Sequence, residues 1–259
     1  MKIVTLVKYV PDATGDRSFA DDGTVDRDVD GLLSELDEYA VEQALRLAED
    51  GDDVEVVAVT LGPDDAADAI KRALQMGASS GVHICDDAVH GTDVIGTSAV
   101  LAAAIRKLEP DLVITGMSST DGTMGVMAAL LSERLGWPAL SLGATLALDG
   151  NTVSIRRDGD VASQTVEADL PAIVSVTDQS GEARYPSMKG ILAAKKKPVE
   201  EWSLDDLGID PAELGLAGSR TAVVETAPRP PKQAGQVVTD SDGSGAAAFV
   251  EFLSAGKYV

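Results

Sequence analysis

Apolar and polar residues alternate along the chain with two distinct periods. Ile3 to Val10 is a run of β-prone apolar residues, followed by a polar, Asp/Gly-rich stretch to about residue 30. From Asp37 the period lengthens: Tyr39-Ala40, Ala44-Leu45 and Leu47-Ala48 recur at helical spacing. "VEVVAVTLGP" (54–63) then predicts a buried strand closed by a Gly-Pro turn, and "DDAADAIKRALQMGA" (64–78) a helix. That helix has acids in its first turn and Gly77 past its last. Strands follow at 81–86 and 111–117, and helices at 93–109 and from Gly125 to Leu135. Strands alternating with helices of this length predict parallel βαβ units with right-handed crossovers, so residues 1–140 read as a doubly wound α/β layer. After Trp137-Pro138 the pattern changes. Residues 139–178 are mostly strand-like, with Asp149-Gly150-Asn151 and Asp158-Gly159 as hairpin turns. Beyond 198 the chain is rich in Pro, Gly and Ser, reads as an extended arm, and ends in the apolar helix candidate "AAAFVEFLSAG" (246–256).

Composition narrows the chemistry. Hydrophobic residues are 44 % of the 259 but aromatics only 3 %. The core must therefore be Val, Ile, Leu and Ala, as suits strands buried on both faces. Acids outnumber bases 43 to 21, for a net charge of −22. A nucleic-acid partner is disfavoured, because phosphates would be repelled over most of the surface. The bland reading of that charge is solvation and solubility, but the acids are spread along the chain rather than forming one tail, a pattern resembling proteins of salt-accumulating halophiles. Cys85 is the lone cysteine, which excludes an internal disulfide, and His83 and His90 are too few for a convincing zinc site. The chain opens on the strand-like "KIVTLVKYV" and carries no run of eighteen apolar residues, so a cytoplasmic location is expected.

In an open parallel sheet, ligands gather beyond the carboxyl ends of the strands. Three loops fall there: 10–15, 61–65 and "GMSSTDGTMG" (116–125). The last combines small hydroxyl residues, an Asp-Gly turn and glycine ahead of a helix, a composition that leaves N–H groups free for a phosphate. An ordinary helix cap has the same composition, and no Walker or G-x-G-x-x-G pattern is present. No Cys/His pairing at sensible spacing, H-E-x-x-H or G-x-S-x-G element occurs, and Met124 and Met127 read as core filler. Neither a catalytic residue nor a metal ligand is indicated. The residues point to a binder or carrier.

Seven segments, in order, resemble the beta subunit of electron transfer flavoproteins: "VKYVPD" (7–12), "LDEYAVEQALRL" (36–47), "VVAVTLGP" (56–63) with "AIKRALQMGA" (69–78), "LVITGMSSTDGT" (112–123), "LGWPAL" (135–140), "LPAIVSVTDQSGEARYPSMKGILAAKKKPVE" (170–200) and "APRPPKQAG" (227–235). The resemblance implies an adenine-nucleotide-binding type of doubly wound, mainly parallel sheet with a hairpin-rich second half. It divides the chain into an α/β domain (1–198), whose loop 178–198 recognises partners, and a C-terminal arm and helix (199–259) that pack on an alpha subunit. Such a subunit is an electron carrier component rather than an enzyme. It passes electrons from flavin dehydrogenases of the acyl-CoA dehydrogenase type to a quinone oxidoreductase or similar acceptor, and touches membranes only through partners. FAD is shared with the alpha subunit. The beta chain itself holds AMP, or a second FAD in electron-bifurcating members.

Carried over by position, Leu6 and Leu61 give backbone contacts, and Ser34, Glu35, Leu36 and Asp37 border the adenine and ribose. Thr120, Asp121, Gly122, Thr123, Met124, Gly125 and Val126 cradle the phosphate. The chain departs from the family pattern at Ser34-Glu35, where Asn-Pro is usual, and at 121–128, where a carboxylate and a glutamine are lost. AMP and FAD both stay open. In the recognition loop, Met188 takes the place of an apolar anchor. Arg184, Tyr185, Lys189, Lys195, Lys196 and Lys197 flank it, the lysines either steering an acidic partner or capping a helix. A bifurcating complex and a stand-alone adenine-nucleotide-binding stress-sensor-like protein are the alternatives.

Overall fold

The computed structural model describes residues 1–15, 17–227, 230–231, 235, 237–240 and 242–258. Residues Met1–Glu225 form one compact unit and Thr226–Val259 another. In chain order the first unit contains β1 (Lys2–Leu6), β2 (Tyr9–Pro11), β3 (Gly31–Leu33), α1 (Glu35–Asp50), β4 (Glu55–Leu61), α2 (Ala67–Met76), β5 (Ser80–Ile84), α3 (Val94–Leu108), β6 (Leu112–Gly116) and α4 (Met127–Leu135). There follow β7 (Ala139–Gly143), β8 (Thr145–Asp149), β9 (Thr152–Asp158), β10 (Ser163–Asp169), β11 (Ala172–Val176), α5 (Met188–Ala194), β12 (Val199–Trp202) and the short α6 (Gly215–Gly218). The second unit holds α7 (Gly245–Ala255), on which Phe249, Val250 and Phe252 are exposed. No helix among the described residues is long and apolar enough to cross a membrane.

Seven strands make one parallel sheet in the order β12-β5-β4-β1-β6-β11-β7. Period-2 alternation divides their side chains between two cores. Ile3, Val56, Leu112 and Val174 point to the face covered by α1, α2 and the β8–β10 sheet. Val4, Val57, Val113 and Ile173 point to the face covered by α3 and α4. The first core's buried side chains are all aliphatic apart from Met76, and the second adds one aromatic, Trp202. From central β1 the chain winds outward through β4 and β5 and then returns to β6 on the other side, so the switch point lies between β1 and β6.

Three elements depart from the sequence-based reading. The apolar run 3–10 is two strands, because β1 stops at Leu6 and β2 pairs antiparallel with β3. The strand-rich region after Pro138, read as the hairpin-rich half of the same domain, also supplies strands to the main sheet beyond residue 140. Its first and last strands, β7 and β11, join the main sheet, while β8, β9 and β10 form the two hairpins between them. The boundary expected at 198 falls just before an edge strand. β12 pairs with β5, and Trp202 and Leu204 are buried, so the first unit continues to Glu225. The Pro-Pro segment 227–235 lies largely outside the described residues.

Candidate functional site

A cleft of about 990 Å³ opens at the switch point, beyond the carboxyl ends of β1, β4 and β6. Of the thirteen residues expected at a cofactor, Leu6, Asp37, Leu61, Gly122, Met124, Gly125 and Val126 line it. Ser34, Glu35, Leu36, Thr120, Asp121 and Thr123 do not. Glu35 instead edges a second depression, of about 510 Å³, beside Arg72 and Tyr185. Ser34 is buried, donates its N–H to the Lys8 carbonyl, and starts α1 without a side-chain cap. Met124, read as core from sequence, is 60 % exposed on the cleft wall.

The 116–126 loop is shaped by its own backbone. Thr123 and Gly125 have φ of 51° and 64°, and the Thr123 N–H donates to the Ser119 carbonyl. The loop delivers the chain to α4, whose N-cap residue, Val126, supplies no side-chain cap. The first N–H groups of α4 thus lack a side-chain cap, and Val126, Met127 and Ala128 line the cleft. The Thr120 hydroxyl is buried with no partner among the described residues.

The structure also brings in residues that spacing did not reveal. Lys8 and Arg27 both line the cleft and both bind Asp121, at 2.9 and 2.6 Å. Burial pushes the Asp121 carboxyl up, but the Lys8 charge and the bonds from Lys8, Ser119 and Arg27 outweigh it and hold the group well below the usual carboxylate range. Arg27 belongs to the excursion between β2 and β3, which was expected to contribute at 10–15 but lines the cleft at 20, 24–28. Thr92, Val94 and Thr97, at the start of α3, complete the wall. His83 is buried, its Nε2 lying 3.1 Å from both the Gly62 and Pro63 carbonyls, an ordinary structural role. The Cys85 thiol is pushed up to about 11 by burial and by Asp64, which makes it a poor nucleophile.

Asp37 ties the switch point together. It sits in the first turn of α1, accepts the Lys8 N–H at 2.9 Å, and also receives the Gly116 amide. Burial pushes its carboxyl up to about 7, against those amides and the Lys8 charge. A raised acid contributes its stability below the ordinary value, 3.8, and that contribution is lost as pH rises through about 7. The stability of the native chain relative to Asp37→Asn is therefore expected to fall between these limits and to level off above them. Urea unfolding of both chains from pH 4.5 to 9 checks this. A difference independent of pH would refute it.

The other predicted group of residues lies elsewhere. Arg184 is turned inward: its side chain donates to Glu42 at 2.7 and 3.2 Å and also binds Glu49, and its backbone N–H donates to Glu42 at 3.1 Å. Arg46 holds the same Glu42 at 2.8 Å. Lys197 also faces inward, its ammonium donating to the Leu74 and Gly77 carbonyls at 3.0 Å each. It thus caps a helix, but that helix is α2 rather than its own. Lys189, Lys195 and Lys196 are exposed. Between these anchors, Tyr185 (89 %), Met188 (74 %) and Leu192 (60 %) project into solvent as an apolar patch.

A parallel α/β unit with a cleft at its switch point, and an exposed apolar loop and helix pinned to a different face, defines the class of doubly wound open-sheet proteins. The chain belongs to the electron transfer flavoprotein family: the family's electron transfer flavoprotein domain matches residues 22–207. It is 43 % identical to the electron transfer flavoprotein subunit beta of Mycobacterium leprae (strain TN), over 99 % of each chain. It is 33 % identical over the whole of both chains to the subunit beta of Clostridium acetobutylicum. The caffeyl-CoA reductase-Etf complex subunit CarD of Acetobacterium woodii is 30 % identical over 92 % of each chain.

Proposed function

We propose that this chain is the beta subunit of a heterodimeric electron transfer flavoprotein, carrying electrons from flavin dehydrogenases to a quinone reductase or similar acceptor. The observation that carries this reading is the patch Tyr185–Met188–Leu192. Its side chains are solvent-exposed, while Arg184 and Lys197 fix the ends of the segment to α1 and α2. A preorganised apolar projection of this kind loses little entropy on docking. The redox FAD is shared with an alpha subunit, on which the C-terminal segment and α7 pack through Phe249, Val250 and Phe252. The complex works in the cytoplasm.

The switch-point cleft takes an adenine nucleotide, AMP or a second FAD. Its volume, the uncapped start of α4 and the paired cations suit a phosphate-bearing ligand. When bound, AMP supplies no redox chemistry, whereas a second FAD supplies a further electron-accepting centre. Nucleotide extracted from the purified complex separates the two by absorbance and mass.

Met188→Ala tests the docking role. It is expected to lower kcat/KM for reduction by the dehydrogenase by about tenfold, the equivalent of ~1.4 kcal/mol of lost interface energy. Flavin content and Tm should not change, since the side chain is 74 % exposed. Loss of flavin at undiminished docking would defeat the assignment.

A further inference from the structure

We propose that Lys8 and Arg27 are the phosphate-binding pair of the switch-point cleft, and that Asp121 positions them without meeting the ligand. The inference rests on the cleft being a nucleotide site and assigns its charged contacts. In a chain with 43 acids and 21 bases, two cations converge here on one carboxylate whose side chain is 1 % exposed. The cations themselves stay 40 % and 32 % exposed and line the cleft, whereas Asp121 does not.

The donors and acceptors divide the same way. Asp121 Oδ1 accepts from Lys8 and from the Gly122 N–H at 2.6 Å, and Oδ2 accepts from Arg27. Little of its capacity remains for a ligand. Lys8 spends donors on Asp121 and, at 3.4 Å, on Ser119 Oγ. Arg27 spends one on Asp121 and one on the Tyr9 carbonyl, at 3.1 Å. One ammonium N–H and three guanidinium N–H groups are left over. Without the carboxylate the two cations would repel each other and swing apart. With it they share a fixed geometry and keep one net positive charge. The uncapped start of α4 lines the same cleft, and its amides favour the same anion. On a wall otherwise lined by Asp26, Asp28, Asp64, Asp86 and Asp87, this local positive charge and the helix end mark the place suited to a phosphate monoester, such as that of a nucleoside monophosphate, and the adenosine moiety makes no use of the pair.

The test is calorimetric titration of the full-length, nucleotide-stripped chain with AMP and, separately, with adenosine. Arg27→Gln and Lys8→Gln are each expected to weaken AMP by about 10–100-fold, the range for a lost hydrogen bond to a charged group, and to leave adenosine within about twofold. Arg27→Lys should recover part of the loss, since it restores the charge but not the planar fork. Asp121→Asn should weaken AMP by several-fold, both with and without EDTA. The proposal is overturned if AMP binding survives both cation substitutions, or if adenosine is lost in parallel. Asp121→Asn binding AMP more tightly would show that the carboxylate acts by repulsion. AMP binding that needs a divalent cation would make Asp121 a direct ligand through that metal; either result also overturns the positioning role. A native chain that binds neither AMP nor adenosine overturns the nucleotide reading of the cleft itself, whereas native binding with unaltered variants overturns only the pair.

Discussion

Gly116→Ala is expected to destabilise the chain by about 1–3 kcal/mol and, on the nucleotide role proposed for the cleft, to abolish tight AMP binding. Gly116 ends β6 at the switch point, where a Cβ would stand 2.5 Å from Asp37 Oδ1 and 2.6 Å from the Leu36 carbonyl. Neither neighbour is a flexible side-chain end. The carbonyl belongs to the first turn of α1, and the carboxylate is fixed by the Lys8 N–H. Relief requires α1 to back away from β6, which breaks the tie between the exits of β1 and β6. Gly150→Ala is the control. Gly150 has φ of 57° in the β8–β9 turn and open space around its Cβ position, so the cost there is backbone strain alone, about 1 kcal/mol. Urea unfolding and AMP titration of both variants check the expectation. If Gly116→Ala bound AMP as the native chain does, the close packing of α1 on β6 would not matter to the cleft.

The second large effect is expected at Arg184. Arg184→Ala leaves Glu42, whose side chain is 4 % exposed, with Arg46 as its remaining cation. Breaking a buried pair costs about 3–5 kcal/mol, and the 30 % exposure of Arg184 brings the expectation down to about 2 kcal/mol. The same change releases the loop that presents Tyr185 and Met188, so on the docking role proposed above the dehydrogenase reaction should slow as much as in Met188→Ala, although neither of those side chains has been altered. The pH dependence follows. Burial pushes Glu42 up, but its bonds from Arg184 and Arg46 bring the carboxyl below its ordinary 4.5. Its stabilisation is therefore present above 4.5 and lost as pH falls through the lower folded value. Acid unfolding curves for the native chain and the variant should converge at low pH. Curves that stay parallel would place the effect outside the ion pair.

The architecture was legible because the two hydrophobic periods are clean. Ile3 and Val4 face opposite cores as the strand period requires, and α1 buries Ala40, Val41, Ala44 and Leu45 as the helical period requires. Hairpin turns at Asp149-Gly150 and Asp158-Gly159 were legible because their residues suit the turn geometry. Strand order was not. Nothing local states that β11 lies between β6 and β7, since that neighbourhood is set by burial on both faces of a finished sheet. The site divides similarly. The 116–126 loop announces itself through its composition, while nothing local tells that Lys8, inside "VKYVPD", and Arg27 share a carboxylate 113 and 94 residues away. The inward turn of Arg184 and Lys197 was hidden for the same reason: their partners lie on α1 and α2, far along the chain.

The position of β11 also has a consequence for biosynthesis. β7 pairs in the main sheet with β11 alone, and β11 is made only after both hairpins of β8–β10. At ordinary elongation rates, β7 has no sheet partner for roughly 2–6 s after it emerges. The sequence of the waiting strand, "ALSLG", is uncharged and mostly apolar. The two hairpins need only local pairing, which takes microseconds. They can close beside the nascent β7 and shield its edge until Ala172 to Val176 arrives. A pause that holds β7 outside the ribosome while β11 is still in the exit tunnel should therefore recruit a chaperone more strongly than a pause after β11 has emerged.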